Sequence, residues 1–331
     1  VLLTADRPPE LRDNAANQSI DQAGIFGRHV RWYFDVPCPS PAIPSSFVAS
    51  TAAHAISAAR QGPVHLNLQF REPFLPNDPP PFPPATLVRR VVESVAALPS
   101  DESRALADRI SGEPAGVIVA GQMEDEDDQR AVARLAHALG WPVAADLASG
   151  MNRVGACGAA GSHDLLFIDP ARIPMAGLCL HLGGRLVSKR LAKWMSTRVR
   201  EIIRVAPDDS RLDPDLSVHT RIRAGVESFV TGILPLLTPV EADPEFSACF
   251  ESFERRVGDL LAPLWDPAPG AALTEIDAVR VARGLLGGEA DVFVGNSLPV
   301  RIFDSLHGCV PSPHTRWFCN RGASGIDGNL A

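Results

Sequence analysis

Val292-Phe-Val-Gly-Asn-Ser-Leu-Pro-Val-Arg301, followed further on by Cys319-Asn-Arg-Gly-Ala-Ser-Gly-Ile-Asp-Gly328, decides how this chain is read. Each piece reads as a buried apolar strand running straight into small, polar and flexible residues, the pattern by which open α/β sheets build ligand sites at strand ends. Gly322, Gly325 and Gly328 leave backbone N–H groups uncovered for a bulky or charged ligand, and Arg301 and Arg321 supply planar cationic forks for carboxylate or phosphate. The glycine spacing is GxxGxxG and not the dinucleotide GxGxxG, so a nucleotide fingerprint is disfavoured.

Working outward, the helix predicted over 277–286 leads into the strand at 291–294. Asn296, Ser297 and Arg301 then open the next helix at the ligand end of the sheet. Upstream, residues 1–5 read as a short apolar strand that breaks at Asp6-Arg-Pro-Pro9, where two prolines permit only a turn or a helix start. A helix is predicted over 46–60 and a strand over 62–70, and strand, helix, strand without a hairpin signal predicts a parallel sheet. From Pro73 to Pro84 seven of twelve residues are proline, an extended linker and a domain boundary. Beyond it, strands at 116–121, 141–146, 178–182 and 201–205 alternate with helical stretches. The best defined of these is an amphipathic helix over 124–139 with an acidic start. These segments predict a second doubly wound sheet over about 88–238. The proline-bearing acidic run 234–246, with 263–270, separates the last region.

Composition narrows the class. The chain has 331 residues, 45% of them hydrophobic, which suffices for two or three cores. No apolar run approaches the ~20 residues of a membrane helix and no signal sequence opens the chain, so the expectation is a cytoplasmic protein without membrane insertion. The balance of 31 Lys+Arg against 39 Asp+Glu, net charge −8, argues against nucleic acid. The six cysteines are scattered without CxxC, which disfavours structural zinc or a disulfide framework. An acidic protein that keeps cations inside its motifs is expected to handle small anions. The first residue is Val and the first Met is Met123, so the sequence reads as an internal piece of a longer polypeptide.

Two further constellations carry chemistry. Arg7, with Asn17 and Gln18, stands at the C-terminal end of a parallel strand, although the same residues also suit a tight turn and a solvated loop. Leu182-Gly-Gly-Arg-Leu-Val-Ser188-Lys189-Arg190 places two cations just after a predicted Ser N-cap, where the helix dipole disfavours them unless an anion sits on top. The alternative is that both side chains point to solvent. A Ser-His-Asp hydrolase lacks its GxSxG elbow, and His54, His65 and His181 read as core histidines.

Taken together, Leu3-Thr-Ala-Asp-Arg-Pro-Pro-Glu-Leu11, Ala16-Asn-Gln18, Gly62-Pro-Val-His-Leu-Asn67, Ser188-Lys-Arg-Leu191, Gly295-Asn-Ser-Leu298 with Arg301, and Asn320-Arg-Gly-Ala-Ser-Gly-Ile-Asp-Gly328 resemble the MenD family of thiamine-diphosphate-dependent synthases. The resemblance implies three doubly wound parallel α/β domains, the first and last incomplete. They are the later pyrimidine-binding domain with its linker over 1–84, a central domain over 85–267 and the start of a diphosphate-binding domain over 268–331. It implies decarboxylation of 2-oxoglutarate and addition of the resulting carbanion to isochorismate in menaquinone biosynthesis, with thiamine diphosphate and Mg²⁺ or Mn²⁺, in a homodimer or homotetramer. It makes Arg7, Asn17, Gln18, Lys189, Arg190, Ser297, Arg301 and Arg321 substrate contacts. Asn296, Gly325 and Ile326 fall beside the cofactor, Ile326 as the residue that props it bent. The family's activating glutamate and acidic metal motif fall before Val1 and after Ala331, so no catalytic or metal residue is expected within the chain, and activity is expected only of the longer protein. Both substrates are dicarboxylates, and five motif cations have the right sign to orient them. Two alternatives stand beside this reading: another thiamine-diphosphate decarboxylase or carboligase, and a non-catalytic dicarboxylate-binding protein.

Overall fold

The computed structural model describes residues 1–74, 98–154, 159–160, 163–208, 210–261, 272–286, 289–306 and 314–320. The chain divides into two compact units, Val1–Ser94 and Val95–Ala331, each treated by itself.

In the first unit β1 (Leu2–Asp6), β2 (Trp32–Val36) and β3 (Val64–Gln69) form a parallel sheet of order β1-β3-β2, with α1 (Ser45–Ala59) leading into β3. The central strand carries the buried residues, Val64 to Asn67, because it alone is covered along both edges. β2 escapes the sequence reading: Trp32-Tyr-Phe-Asp-Val36 has no continuous aliphatic run, and every residue is half-buried. His54 corrects an expectation. It lies on the exposed side of α1 with its ring edge-on to Trp32, centroids 4.5 Å apart, whereas His65 is fully buried.

The second unit begins with α2 (Ser100–Ser111), β4 (Gly116–Ala120), α3 (Glu126–Leu139) and β5 (Val143–Ala145). It continues through β6 (Ala159–Ala160), α4 (His163–Leu166), β7 (Ala176–Leu182), α5 (Lys189–Arg198), β8 (Val199–Ala206), β9 (Thr220–Arg223), α6 (Val226–Ile233) and α7 (Pro244–Leu261). All strands run parallel in the order β6-β5-β4-β7-β8-β9. Strands buried on both faces read as continuous apolar runs, and every residue of β4 and β7 is buried. One face packs Ile118, Leu178 and Leu180 against Leu135, Leu139, Phe229 and Val230, and the other packs Val117, Val119 and Cys179 with Phe167, Trp194, Phe246 and Phe250. Helices therefore cover both faces, as in a doubly wound fold.

The run 234–246, read as a separator, is instead partly structural. Pro244 starts α7, as proline tolerates at a first turn, and Phe246 is buried in the second core.

The unit ends with α8 (Glu275–Gly284), β10 (Ala290–Phe293), α9 (Leu298–Ser305) and β11 (Thr315–Phe318), where β10 and β11 pair in parallel. β10 is not the buried strand its sequence suggests: Asp291 is exposed and Phe293 is 52% exposed, because β11 is its one strand neighbour among the described residues. Val294, Val300, Phe303 and Trp317 pack with Leu147 and Val187, so this small sheet sits on the loops that follow β5 and β7.

Candidate functional site

The strand order reverses between β4 and β7, the place where open α/β sheets leave a crevice at their C-terminal ends. Here the two strand ends close on each other. Gly184 N–H donates to the Gln122 carbonyl (2.9 Å) and Gln122 N–H to the Arg185 carbonyl (3.2 Å). A Cβ on Gly121 would lie 2.4 Å from the Gly184 carbonyl oxygen, and Gly183 has φ +93°. The glycines before the basic motif thus serve backbone packing. His181 fills the same end, Nε2 3.1 Å from the Gly184 carbonyl, and burial together with the nearby Arg204 charge lowers its pKa to about 4. A neutral ring there is structural.

One strand further along, Asp146 is fully buried at the end of β5; it accepts the Ala148 N–H at 2.9 Å and also the Val187 N–H. The start of α5 follows Val187. Ser188 caps it by accepting the Leu191 N–H (2.9 Å), as its spacing predicts. Lys189 and Arg190 are both exposed. The Arg190 Nη1 donates to Asp164 Oδ2 at 2.7 Å, the Ser188 hydroxyl donates to Asp164 Oδ1 at 2.7 Å, and the Ser305 hydroxyl of α9 donates to Asp164 Oδ2 at 2.8 Å. The second cation of the motif is therefore anchored by a carboxylate within the fold, which neither sequence alternative contained.

At the end of β10, Asn296 is buried, with Nδ2 donating to the Asn320 carbonyl (3.1 Å) and side-chain oxygen (2.6 Å). Ser297 takes φ +74°, unusual for a non-glycine residue and of the kind that clusters at ligand sites. Arg301 lies one turn into α9, exposed and without an ion pair among the described residues.

With that geometry in place, the likeness to known proteins is specific. Residues 107–243 match the family model described as "Middle domain of thiamine pyrophosphate". Over the whole chain, similarity extends to the 2-succinyl-5-enolpyruvyl-6-hydroxy-3-cyclohexene-1-carboxylate synthases of Rubrobacter xylanophilus (35% identical) and Chlorobium phaeobacteroides (33%), covering 59% of each relative. The corresponding synthase of Salinibacter ruber is 33% identical, again over all of this chain and 59% of the relative. Along its whole length the chain is similar to these synthases. It spans 59% of the length of those curated relatives.

Within the chain, the expected contacts fall into separate groups. Arg7, Asn17 and Gln18 lie together in the first unit, where Arg7 Nε donates to the Asn17 carbonyl at 3.3 Å. Their loop is strained, with positive φ at Asp13, Ala15 and Gln18. It is held by Arg12, which forks onto Asp35 (3.0 and 3.1 Å) and reaches Asp6 (2.7 Å); Asn67 donates to both carboxylates at 2.8 Å. Burial would raise the Asp35 pKa, but hydrogen bonds from Arg12, Asn67 and Gln69 outweigh it and hold it below the ordinary value. Lys189, Arg190, Asn296, Ser297 and Arg301 lie in the second unit, and Arg321, Gly325 and Ile326 lie outside the described residues. Sequence reasoning missed Arg12, Asp146, Asp164 and Asp304, whose Oδ1 accepts the buried Leu147 N–H from the loop after β5. Only Arg12 had a local signal, standing one residue beyond the Asp-Arg-Pro-Pro-Glu-Leu turn.

Proposed function

We propose that the whole protein carrying this chain is a transferase that decarboxylates 2-oxoglutarate and adds the resulting four-carbon unit to isochorismate, in menaquinone biosynthesis. One observation supports this best: through Asp164, the helix start bearing Lys189 and Arg190 is tied to α9, which bears Arg301, so cations for separate carboxylates share one frame. Arg301 and Arg321 hold carboxylates of the 2-oxoglutarate half. Lys189 and Arg190 hold those of isochorismate. Arg7, Asn17, Gln18 and Ser297 orient the reacting pair by charge-assisted and neutral hydrogen bonds, which carboligation requires.

Thiamine diphosphate, with Mg²⁺ or Mn²⁺, supplies the carbanion chemistry when bound. The residues at this strand end suit such a group: the exposed Ser297 stands beside Asn296, whose buried amide is held by Asn320. Gly325 and Ile326 would complete the cradle. The reading carries with it domains over 1–84, 85–267 and 268–331, a homodimer or homotetramer, and a cytoplasmic location. No described helix is long and apolar enough to cross a membrane.

Lys189→Ala in the whole protein tests the reading. Lys189 has no ion pair among the described residues, so its removal is expected to raise the Michaelis constant for isochorismate about ten- to a hundredfold with an unchanged melting temperature. An unchanged constant would refute the assignment of this helix start to isochorismate.

A further inference from the structure

Asp164 lies in the short helix α4 and is 8% exposed, yet its carboxylate takes three donors: the Ser188 hydroxyl on Oδ1, and Arg190 Nη1 and the Ser305 hydroxyl on Oδ2. Two come from the start of α5 and one from the end of α9. The Arg190 side chain is 50% exposed, and only Nη1 is engaged among the described residues, which leaves Nε and Nη2 as donors for a ligand. A guanidinium held through one Nη1 bond to a buried carboxylate keeps its other donors for a second carboxylate, whereas an unanchored arginine must lose more rotamer freedom on binding.

We infer that Asp164 is a positioning residue for the carboxylate subsite at the start of α5: it fixes the Arg190 guanidinium so that its other donors meet a carboxylate of the acceptor substrate, and through Ser305 it keeps α9 in register with them. This rests on the proposal that Arg190 binds isochorismate. It also has a sign that distinguishes it from simple electrostatics. A carboxylate beside the subsite repels an incoming anion, so if charge alone mattered, removing it would tighten binding. Positioning predicts the reverse.

The test is calorimetric titration of the whole protein with isochorismate and, separately, with 2-oxoglutarate, for wild type, Asp164→Asn, Arg190→Ala and the double variant. Asp164→Asn is expected to weaken isochorismate about tenfold, to leave 2-oxoglutarate within about twofold, and to add nothing when Arg190 is already Ala. Asp164→Glu keeps the charge and displaces it by one methylene; it is expected to weaken isochorismate several-fold and stands in should the Asn variant not fold. Unchanged or tighter isochorismate binding in either Asp164 variant overturns the inference, as does an equal loss for both ligands or a loss that persists in the Arg190→Ala background. If Arg190→Ala itself leaves isochorismate binding unchanged, the functional reading falls and the inference with it. If Arg190→Ala weakens binding while Asp164→Asn is silent, the inference alone falls.

Discussion

Asp304 Oδ1, near the end of α9, accepts the backbone N–H of Leu147 at 2.9 Å, across 157 residues of sequence. Asp304 is 1% exposed and Leu147 0%, so the carboxylate satisfies a donor that water does not reach. With Ser305 on Asp164, this bond fixes α9 onto the loop after β5 and onto α4. Asp304→Ala would leave the Leu147 N–H unpaired in the interior, at about 1–3 kcal/mol. Asp304→Asn keeps an oxygen acceptor and is expected to lose less. Urea denaturation of both variants checks this, and equal losses would mean that the Leu147 bond contributes nothing separable.

Arg12 is the second such tie, in the first unit. Its fork on Asp35 and its contact with Asp6 hold the loop that carries Arg7, Asn17 and Gln18. A lysine keeps the charge and loses the two parallel bonds, so Arg12→Lys is expected to cost about 1–2 kcal/mol, a figure moderated by the partial exposure of Arg12 and Asp35. Asp35 is held below its ordinary value of 3.8, so the tie is fully present above that pH and lost as the solution is acidified below it. Denaturation at neutral pH, with limited proteolysis of residues 7–22, measures the effect. A variant as stable and as protease-resistant as wild type would show that the loop holds itself.

How much of this was legible in the sequence follows from the range of each interaction. The strands β4 and β7 declare themselves because burial on two faces favours near-continuous apolar runs, β3 and β8 through Val64, Leu66 and Leu68 and through Ile202, Ile203 and Val205 between polar residues, and Ser188 because an N-cap is a local bond. β2 does not, because half-burial leaves Tyr33 and Asp35 in a strand without a run. Asp164 lies 24 residues from Ser188 and 141 from Ser305, so no spacing rule connects them. For the same reason the sequence leaves Arg190 open between an anionic ligand and solvent, when the fold supplies it one carboxylate.

His181 gives a pH dependence of the same sign as Asp35, from a group that the fold keeps neutral and not charged. Burial, and then the charge of Arg204, lowers its pKa from 6.5 to about 4. Between those values the unfolded chain binds a proton that the folded chain does not, so stability rises with pH across the window and is complete above about 6.5. At pH 5 the loss from this one group is about 2 kcal/mol relative to pH 7. His181→Gln removes the titration and retains an N–H for the Gly184 carbonyl, so the loss between pH 7 and 5 should shrink by about that amount. Parallel denaturation series at the two pH values decide it, since the other titrating groups are common to both proteins. An identical pH slope would place the proton on His181 in the folded state as well.

Arg301 tests the other half of the proposed reaction. It lies in α9 one turn beyond Ser297, which has the unusual φ of +74°, and it is exposed at the end of β10 where the cofactor and the 2-oxoglutarate half are proposed to meet. A guanidinium grips a carboxylate with two parallel bonds and an ammonium with one point charge, so Arg301→Lys keeps the sign of the charge and removes the fork. If Arg301 holds the distal carboxylate, the whole protein with this change should lose about 1–3 kcal/mol of transition-state stabilisation toward 2-oxoglutarate, read from the specificity constant. Toward a 2-oxo acid lacking the distal carboxylate the loss should be much smaller, because nothing there uses the fork. Since Arg301 makes no ion pair among the described residues, the melting temperature should hold. Equal losses for the two donors would assign Arg301 to the cofactor or the fold, and not to the choice of donor.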